Sequence, residues 1–272
     1  MKVKIAAVQP KSFTGNQEHQ NVEAALAYID QAANQGAQFV SFPELYPGPF
    51  HPSQSYDTSA LYAKAKERSI YIVRGMKEEV DGGYNICAEL ISPSGESVGI
   101  YRRTTPSGPY VYKDIPIWDF DYVQADNLPV FDTEFGKVGV LICSEVYVPE
   151  LARILTLKGA KIIFYPSGGC LNELLPTWRI MVQARAIENL IYTAASQSLY
   201  GVEDGIGMIA GPEGILTENI GEAVLVAEID FERQQWLRDQ DEKIEMPKRY
   251  KVVPGLLRWQ KPEMYRENPL NC

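Results

Sequence analysis

Histidine is nearly missing from this chain: 272 residues hold only His19 and His51. That scarcity argues against a histidine-built metal site, and any Ser-His or Cys-His couple must use one of the two. Four cysteines occur (Cys87, Cys143, Cys170 and Cys272), none in a CxxC spacing, so no metal site is expected and the thiols are expected to be reduced. An excess of basic residues is also lacking. The formal charge of -9 argues against a nucleic-acid or anionic-membrane surface. No apolar run is long enough to span a bilayer, and Met1-Lys2-Val3-Lys4 leads straight into strand-like sequence rather than a signal peptide. A cytoplasmic protein is therefore expected. No P-loop, no GxSxG elbow and no Gly-x-Gly-x-x-Gly occurs. The nearest approach, Gly205-Ile206-Gly207-Met208-Ile209-Ala210-Gly211, has the wrong spacing and reads as strand plus turn.

What is present can bury a large core, since 45% of the residues are hydrophobic. Residues 2–9 read as a strand. Val22, Ala25, Leu26, Ile29 and Ala32 form one helical stripe that Gly36 stops. The short strand at 38–42 runs into Pro43-Glu44-Leu45-Tyr46-Pro47-Gly48-Pro49, where the prolines and glycine fix a loop with Glu44 at its mouth. A helix is predicted near 57–68. An antiparallel meander follows, with strands near 70–79, 84–92 and 96–103 joined by Asp81-Gly82-Gly83 and Ser92-Pro93-Ser94-Gly95. The segment 104–127 has no period, and a loop of that length inside a domain is usually functional. Strands near 128–132, 137–143, 161–165 and 190–196 alternate with helices at 149–158 and 176–189. Two sheets with helices packed outside is the natural assembly.

The run Lys137-Val138-Gly139-Val140-Leu141-Ile142-Cys143 is short, apolar and rich in Val and Ile, as a buried strand is. Pro149 suits a first helical position, and 150–157 keep helical spacing up to Gly159. Cys143 therefore falls at the carboxyl end of a strand, ahead of a helix N-terminus, where the helix dipole favours the thiolate. A buried structural cysteine is the competing reading. Strand ends also carry Glu44 and the Arg102-Arg103 pair. Side chains meeting there could combine a thiol, a carboxylate that takes its proton and a cation that holds an oxyanion. Spacing alone does not bring them together.

The stretches Ala6-Ala7-Val8-Gln9, Phe42-Pro43-Glu44, Gly99-Ile100-Tyr101-Arg102-Arg103 and Gly139-Val140-Leu141-Ile142-Cys143-Ser144-Glu145 occur in this order. Pro149-Glu150, Ala184-Arg185-Ala186-Ile187-Glu188-Asn189 and Arg258-Trp259-Gln260-Lys261-Pro262-Glu263-Met264-Tyr265 follow. In order and spacing the chain resembles the nitrilase superfamily of carbon-nitrogen hydrolases, in its amidase-like branch. The resemblance implies an α/β fold, a four-layer αββα sandwich of two mixed sheets flanked by helices. It implies a cofactor-free hydrolase domain over 1–245, with a tail over 246–272 packing on the body or on a partner subunit. It also implies a thioester mechanism on a small amide or carbamoyl compound, less readily a nitrile, and a homodimer or higher homo-oligomer. An acyltransferase using the same thioester, or a non-catalytic binding protein, is the alternative.

By the same resemblance Cys143 is the nucleophile and Glu44 the general base. The family's lysine is replaced, because Tyr101-Arg102-Arg103-Thr104 stands where Tyr-Arg-Lys-Thr is expected. Arg103 keeps the charge but cannot donate a proton at neutral pH. Lys113, ten residues on, is the other candidate for that role. Asp119 is the nearest match to a second acidic residue of the family's loop. Tyr46, Tyr147 and Trp118 flank the expected rim, where aromatic walls would suit a small substrate, and ordinary core or surface packing explains them at least as well. Blander readings cover the rest. Arg185 and Glu188 form an intrahelical pair, Arg179 is a solvated helix arginine, His51 lies at the surface and Cys170 is a small residue near the site.

Overall fold

A computed structural model describes residues 1–51, 53–105, 122–169, 172–199 and 205–239, apart from the side chains of Asn172 and Asp239. The first sheet is built from β1 (Lys2–Gln9), β2 (Phe39–Ser41), β3 (Tyr71–Val80), β4 (Gly83–Ile91), β5 (Ser97–Arg102) and, late in the chain, β12 (Ala223–Asp230). Their order is β12-β1-β2-β3-β4-β5. The second sheet holds β6 (Phe131–Thr133), β7 (Gly136–Val140), β8 (Ile162–Ser167), β9 (Tyr192–Gln197), β10 (Ile206–Gly211) and β11 (Gly214–Ile220), in the order β11-β10-β9-β8-β7-β6. Helices α1 (Gln20–Asn34) and α2 (Ala60–Arg68) cover the first sheet, and α3 (Pro149–Leu157) and α4 (Leu175–Asn189) the second. Helix α5 (Phe231–Asp239) follows β12. The result is the expected αββα sandwich.

Side-chain alternation explains the layers. On the first sheet Ile5, Phe39, Val73 and Leu90 point inward and meet Val140, Ile162, Phe164 and Ala194 of the second sheet. Phe39 lies over Phe164 with ring centroids 5.8 Å apart. The opposite faces of β1, β2 and β3 put Val8, Val40 and Ile72 against Ala25, Ile29, Leu61 and Ala65 of α1 and α2. Central strands are thus buried on both faces, which is why they read as apolar runs rather than clean alternation. Burying each such Phe or Ile stabilises the fold by roughly 1.5–3 kcal/mol.

Topology sets the position of the site. β1, β2 and β3 are parallel, and β5 runs the same way because two antiparallel steps separate it from β3. In the other sheet β7, β8 and β9 are parallel. The carboxyl ends of β2 and β5 therefore share one rim, and those of β7 and β8 share the facing one. The strand expected over 137–143 stops at Val140, and the one expected over 128–132 is confined to Phe131–Thr133. Gly36 ends α1 with φ +83°, a left-handed conformation that glycine adopts without strain.

Candidate active site

After β7 the backbone stays extended through Ile142 and then turns at Cys143, whose φ is +52°. A non-glycine residue held in the left-handed region is strained, and such strain persists where the surroundings over-determine it. Here the turn starts a 3-10 segment, Cys143–Tyr147, that leads through Val148 into α3. The expectation that a helix dipole lowers the thiol's pKa is overturned. Burial pushes the Cys143 thiol up to about 12, and the Glu44 charge adds to this. Arg103 and the Gly168 amide pull the other way without winning. The dipole of one short 3-10 turn is small against the cost of an enclosed charge. Cys143 is thus a protonated thiol at rest, facing a carboxylate.

That carboxylate is Glu44, 3% exposed. Leu45, with φ +59°, turns the chain sharply just after it. The turn packs on β3 at Gly75, where a Cβ would come within 2.2 Å of the Leu45 nitrogen and 2.5 Å of the Pro43 oxygen. Only glycine permits that approach. Glu44 Oε2 accepts from the Gly168 N–H at 3.0 Å, bridging the two sheets, and Oε1 accepts from Arg103 Nη1 at 2.8 Å.

Arg103 follows β5 and is fully buried. It faces inward because its backbone N–H pairs with Ile86, an inter-sheet core residue. Its neighbour Arg102 points to the other face, where it pairs with Glu78. The Arg103 guanidinium also donates to Ser144 Oγ at 2.6 Å and to the Thr105 carbonyl at 2.9 Å. Burial works to lower its pKa, but the charges of Glu44 and Glu145 outweigh it, and the net direction is upward.

A fourth residue was quoted in the sequence pattern but given no role. Glu145 is fully buried, and its carboxylate accepts from Tyr101 Oη at 2.8 Å, Thr104 N at 2.9 Å, Thr104 Oγ1 at 2.8 Å, Thr105 N at 3.2 Å and Ile142 N at 2.6 Å. Burial, and then the Glu145 charge, raise the pKa of Tyr101 and keep it a donor. Glu145 thereby ties the end of β5, which carries Arg103, to the turn that carries Cys143. Sequence offered one signal, an acidic residue two places after the cysteine inside an apolar run.

The remaining expectations divide. Glu44, Arg103 and Cys143 are brought together. Tyr46 is not on the rim: its ring is fully buried on the helix side of the first sheet, stacked on Phe42 at 5.5 Å. The Leu45 turn sends the side chain after it away from the site. Tyr147 is partly buried against the inter-sheet core at the end of the Cys143 turn. Arg185 and Glu188 pair at 2.7 Å as expected, but Arg185 is also buried and donates to the Val146 carbonyl at 2.8 Å, bracing the Cys143 turn from α4. Arg179 pairs with Glu218 on the surface, and His51 bonds Ser53. Lys113, Trp118, Asp119, Cys170 and the tail 246–272 lie outside the described residues. Among the described residues no group of three metal-ligating side chains occurs.

Residues 4–239 match the family model of the carbon-nitrogen hydrolases. The chain belongs to that family. It is 30% identical over 241 residues to omega-amidase NIT2 of Homo sapiens, spanning 81% of this chain and 86% of that protein. A carbon-nitrogen hydrolase from Helicobacter pylori G27 superposes with a TM-score of 0.79 at 21% identity, covering 98% of both chains, which bears on the fold. A mutant of the amidase from Nesterenkonia sp. AN1 in complex with butyramide gives a TM-score of 0.72 at 26% identity, over 86% of this chain and 93% of that one. In this carbon-nitrogen hydrolase an arginine grips the carboxylate beside the cysteine.

Proposed function

We propose that the chain is a cysteine-dependent amidase that cleaves small carboxamides through a thioester on Cys143. The observation that carries this reading is the meeting of Cys143, Glu44 and Arg103 at one rim, with Arg103 hydrogen-bonded to Glu44 and the thiol beside the same carboxylate. In the first step Glu44 takes the Cys143 proton as sulfur attacks the amide carbon. The protonated Glu44 then gives that proton to the departing nitrogen, the C–N bond breaks and ammonia leaves. In the second step Glu44 accepts a proton from water, hydroxide adds to the thioester carbon, and the C–S bond breaks as Glu44 returns its proton to sulfur, which restores the thiol. Arg103 takes no part in proton transfer, because guanidinium does not ionise at neutral pH. It neutralises the base, fixes its geometry and contributes positive charge beside the developing oxyanion.

One relative is an omega-amidase and the other an amidase in complex with butyramide, which marks unbranched aliphatic amides as the first to try. Tyr147 is proposed as a wall of the substrate site, and Lys113 and Asp119 as further contacts from the loop. We further propose a homodimer or higher oligomer through α3 and α4. Ile154, Leu157, Ile180 and Ile187 expose their side chains there, more than lone surface apolar residues explain. The tail 246–272 packs on the body or on that partner, and the protein is cytoplasmic. No helix among the described residues is long and apolar enough to cross a membrane.

The test is incubation with a panel of aliphatic amides, reading ammonia release and the intact mass of the protein. Ammonia release with an acyl adduct that disappears in Cys143→Ala supports the reading. Transfer of the acyl group to an added amine in place of hydrolysis identifies an acyltransferase. No adduct with any amide removes the enzyme reading.

A further inference from the structure

Beside the Glu44–Gly168 bridge lie buried polar groups that this mechanism has not used. Gln9 ends β1, Ser41 ends β2, and Ser196 and Ser198 lie at the end of β9; each is at most 1% exposed. Among the described residues the three serine hydroxyls and the Gln9 Nε2 group have no hydrogen-bond partner. An unpaired buried amide or hydroxyl costs about 1–3 kcal/mol, so four together need an explanation.

Register shows where they point. Ser41 pairs with Ala7 and Val73, both in the inter-sheet core, so its hydroxyl faces inward. Gln9 lies two residues beyond Ala7 on the same face of β1. In the second sheet Phe164 faces inward onto Phe39, and it pairs with Ala194. Ser196 and Ser198, two and four residues further, share that face, whereas Thr193 turns the other way and bonds Val182 of α4. β2 lies across from β9, and β1 across from β9 and β10.

The layers can therefore be followed toward the rim. The first is aromatic, Phe39 over Phe164. The next holds Ser41 on one sheet and Pro166 with its partner Ser196 on the other. The third is the active-site level, where Gly168 donates to Glu44 and the Ser198 amide donates to the Ser167 carbonyl. Gln9 Oε1 closes the flank by accepting from the Gln197 amide at 3.1 Å. A Cβ on Gly205 or Gly207 would come within 3.2 Å or 3.1 Å of the Gln9 amide group, so both glycines leave it room.

We propose that Gln9, Ser41, Ser196 and Ser198 form a built water site behind Glu44, and that it supplies the hydrolytic water of the second step from inside the protein. The chemistry of the lining selects water. The described side chains that line it are polar, buried and uncharged, with hydroxyls that both donate and accept, and a buried water needs two to four such partners. The route matters because the acyl group on Cys143 occupies the open side of the site after ammonia leaves. A water arriving from behind Glu44 meets the base first, gives it a proton and adds to the thioester carbon. The lining serines are positioning residues, since they hold the water and do not touch the acyl group. This proposal rests on the amidase reading above.

Two measurements test it. A high-resolution crystal structure of the full chain is expected to show ordered water within hydrogen-bond distance of Ser41 Oγ and Ser196 Oγ. Direct pairing of these hydroxyls with protein groups, with no water between them, overturns the proposal. The kinetic arm uses p-nitrophenyl acetate, whose burst of nitrophenolate reports acylation and whose steady state reports deacylation. Ser41→Val and Ser196→Val fill the space with methyl groups. They are expected to leave the burst rate unchanged and slow deacylation about tenfold or more, equivalent to about 1.4 kcal/mol. Acetylated Cys143 should then accumulate by intact mass. If either valine variant fails to fold, Ser41→Ala and Ser196→Ala give the same readout in milder form. Normal deacylation in folded variants overturns the proposal alone, and so does an equal fall in both phases, which marks displacement of Glu44. A wild-type protein that never carries an acetyl group on Cys143 overturns the amidase reading, and this proposal with it.

Discussion

Arg103 Nη1 donates to Glu44 Oε1 across 2.8 Å, and neither side chain has meaningful access to solvent. Arg103 is therefore committed to Glu44 before any substrate arrives. Its other arms hold Ser144, next to the nucleophile, and the Thr105 carbonyl. One guanidinium fixes the relative positions of the carboxylate and the cysteine turn, which a single ammonium cannot do with the same fork.

Removing one partner of a buried ion pair leaves an uncompensated charge. Arg103→Ala is expected to destabilise the fold by about 3–5 kcal/mol and to abolish turnover. Arg103→Lys keeps the charge but loses the fork. Its melting temperature should fall less than that of Arg103→Ala, with some acylation of Cys143 retained. An Arg103→Ala protein that melts with the wild type contradicts the anchoring role.

The Cys143 thiol gives a pH prediction with a definite sign. Its folded-state pKa is raised, from an ordinary 9.0 to about 12. The protonated thiol's contribution to stability is thus fully present below about pH 9 and is lost as pH rises through about 12. Cys87, fully buried and also pushed up to about 12, acts in the same direction. Stability should decline on the alkaline side, less steeply in Cys143→Ala. Iodoacetamide alkylation of Cys143 should keep accelerating with pH beyond 9, and a plateau near neutrality would show a preformed thiolate instead.

How far sequence could anticipate this site depends on the physics behind each residue. Glu44, Arg103 and Cys143 were legible because each follows a short strand and sits in a recognisable pattern. Tyr46 was misplaced because its direction depends on the left-handed turn at Leu45, which nothing local announces. The thiol's charge state was misjudged because helix dipoles can be read from a sequence and desolvation cannot. Gly75, inside a predicted strand, gives no local signal, because its lack of a Cβ matters only where the Glu44 turn approaches it. The five donor atoms on Glu145 come from β5, its following loop and the cysteine turn, a convergence that no local spacing encodes.

That convergence can be tested by Glu145→Gln. The shape is kept, but one carboxylate oxygen becomes an NH₂ that faces backbone donors. Leaving those buried donors short of an acceptor should cost on the order of 3 kcal/mol. Because the contacts hold the Arg103 segment against the Cys143 turn, acylation should slow even at temperatures where the variant is folded. Native acylation in a variant with a lowered melting point would confine Glu145 to a structural part.

The position of the base itself is tested by the smallest change available, Gly168→Ala. The Gly168 amide donates to Glu44 Oε2, and a Cβ built on Gly168 would lie 3.3 Å from that same oxygen. Such a contact is tighter than a methyl group and a carboxylate oxygen ordinarily share. The substitution keeps the backbone donor and adds no charge, so global stability should change little. What moves is the carboxylate, by a few tenths of an ångström. The shift is resisted on its far side by Arg103. A displacement of 1 Å can cost about a hundredfold in rate, so this smaller one should slow acylation on the order of tenfold. The readout is the single-turnover acylation rate of Cys143 in a variant whose melting temperature matches the wild type. Arg103→Lys, with its single donor, gives Glu44 more freedom to yield, so combining it with Gly168→Ala should cost less than the two separate losses added together. Strict additivity of the two would mean that Arg103 and Gly168 do not hold the same carboxylate in place.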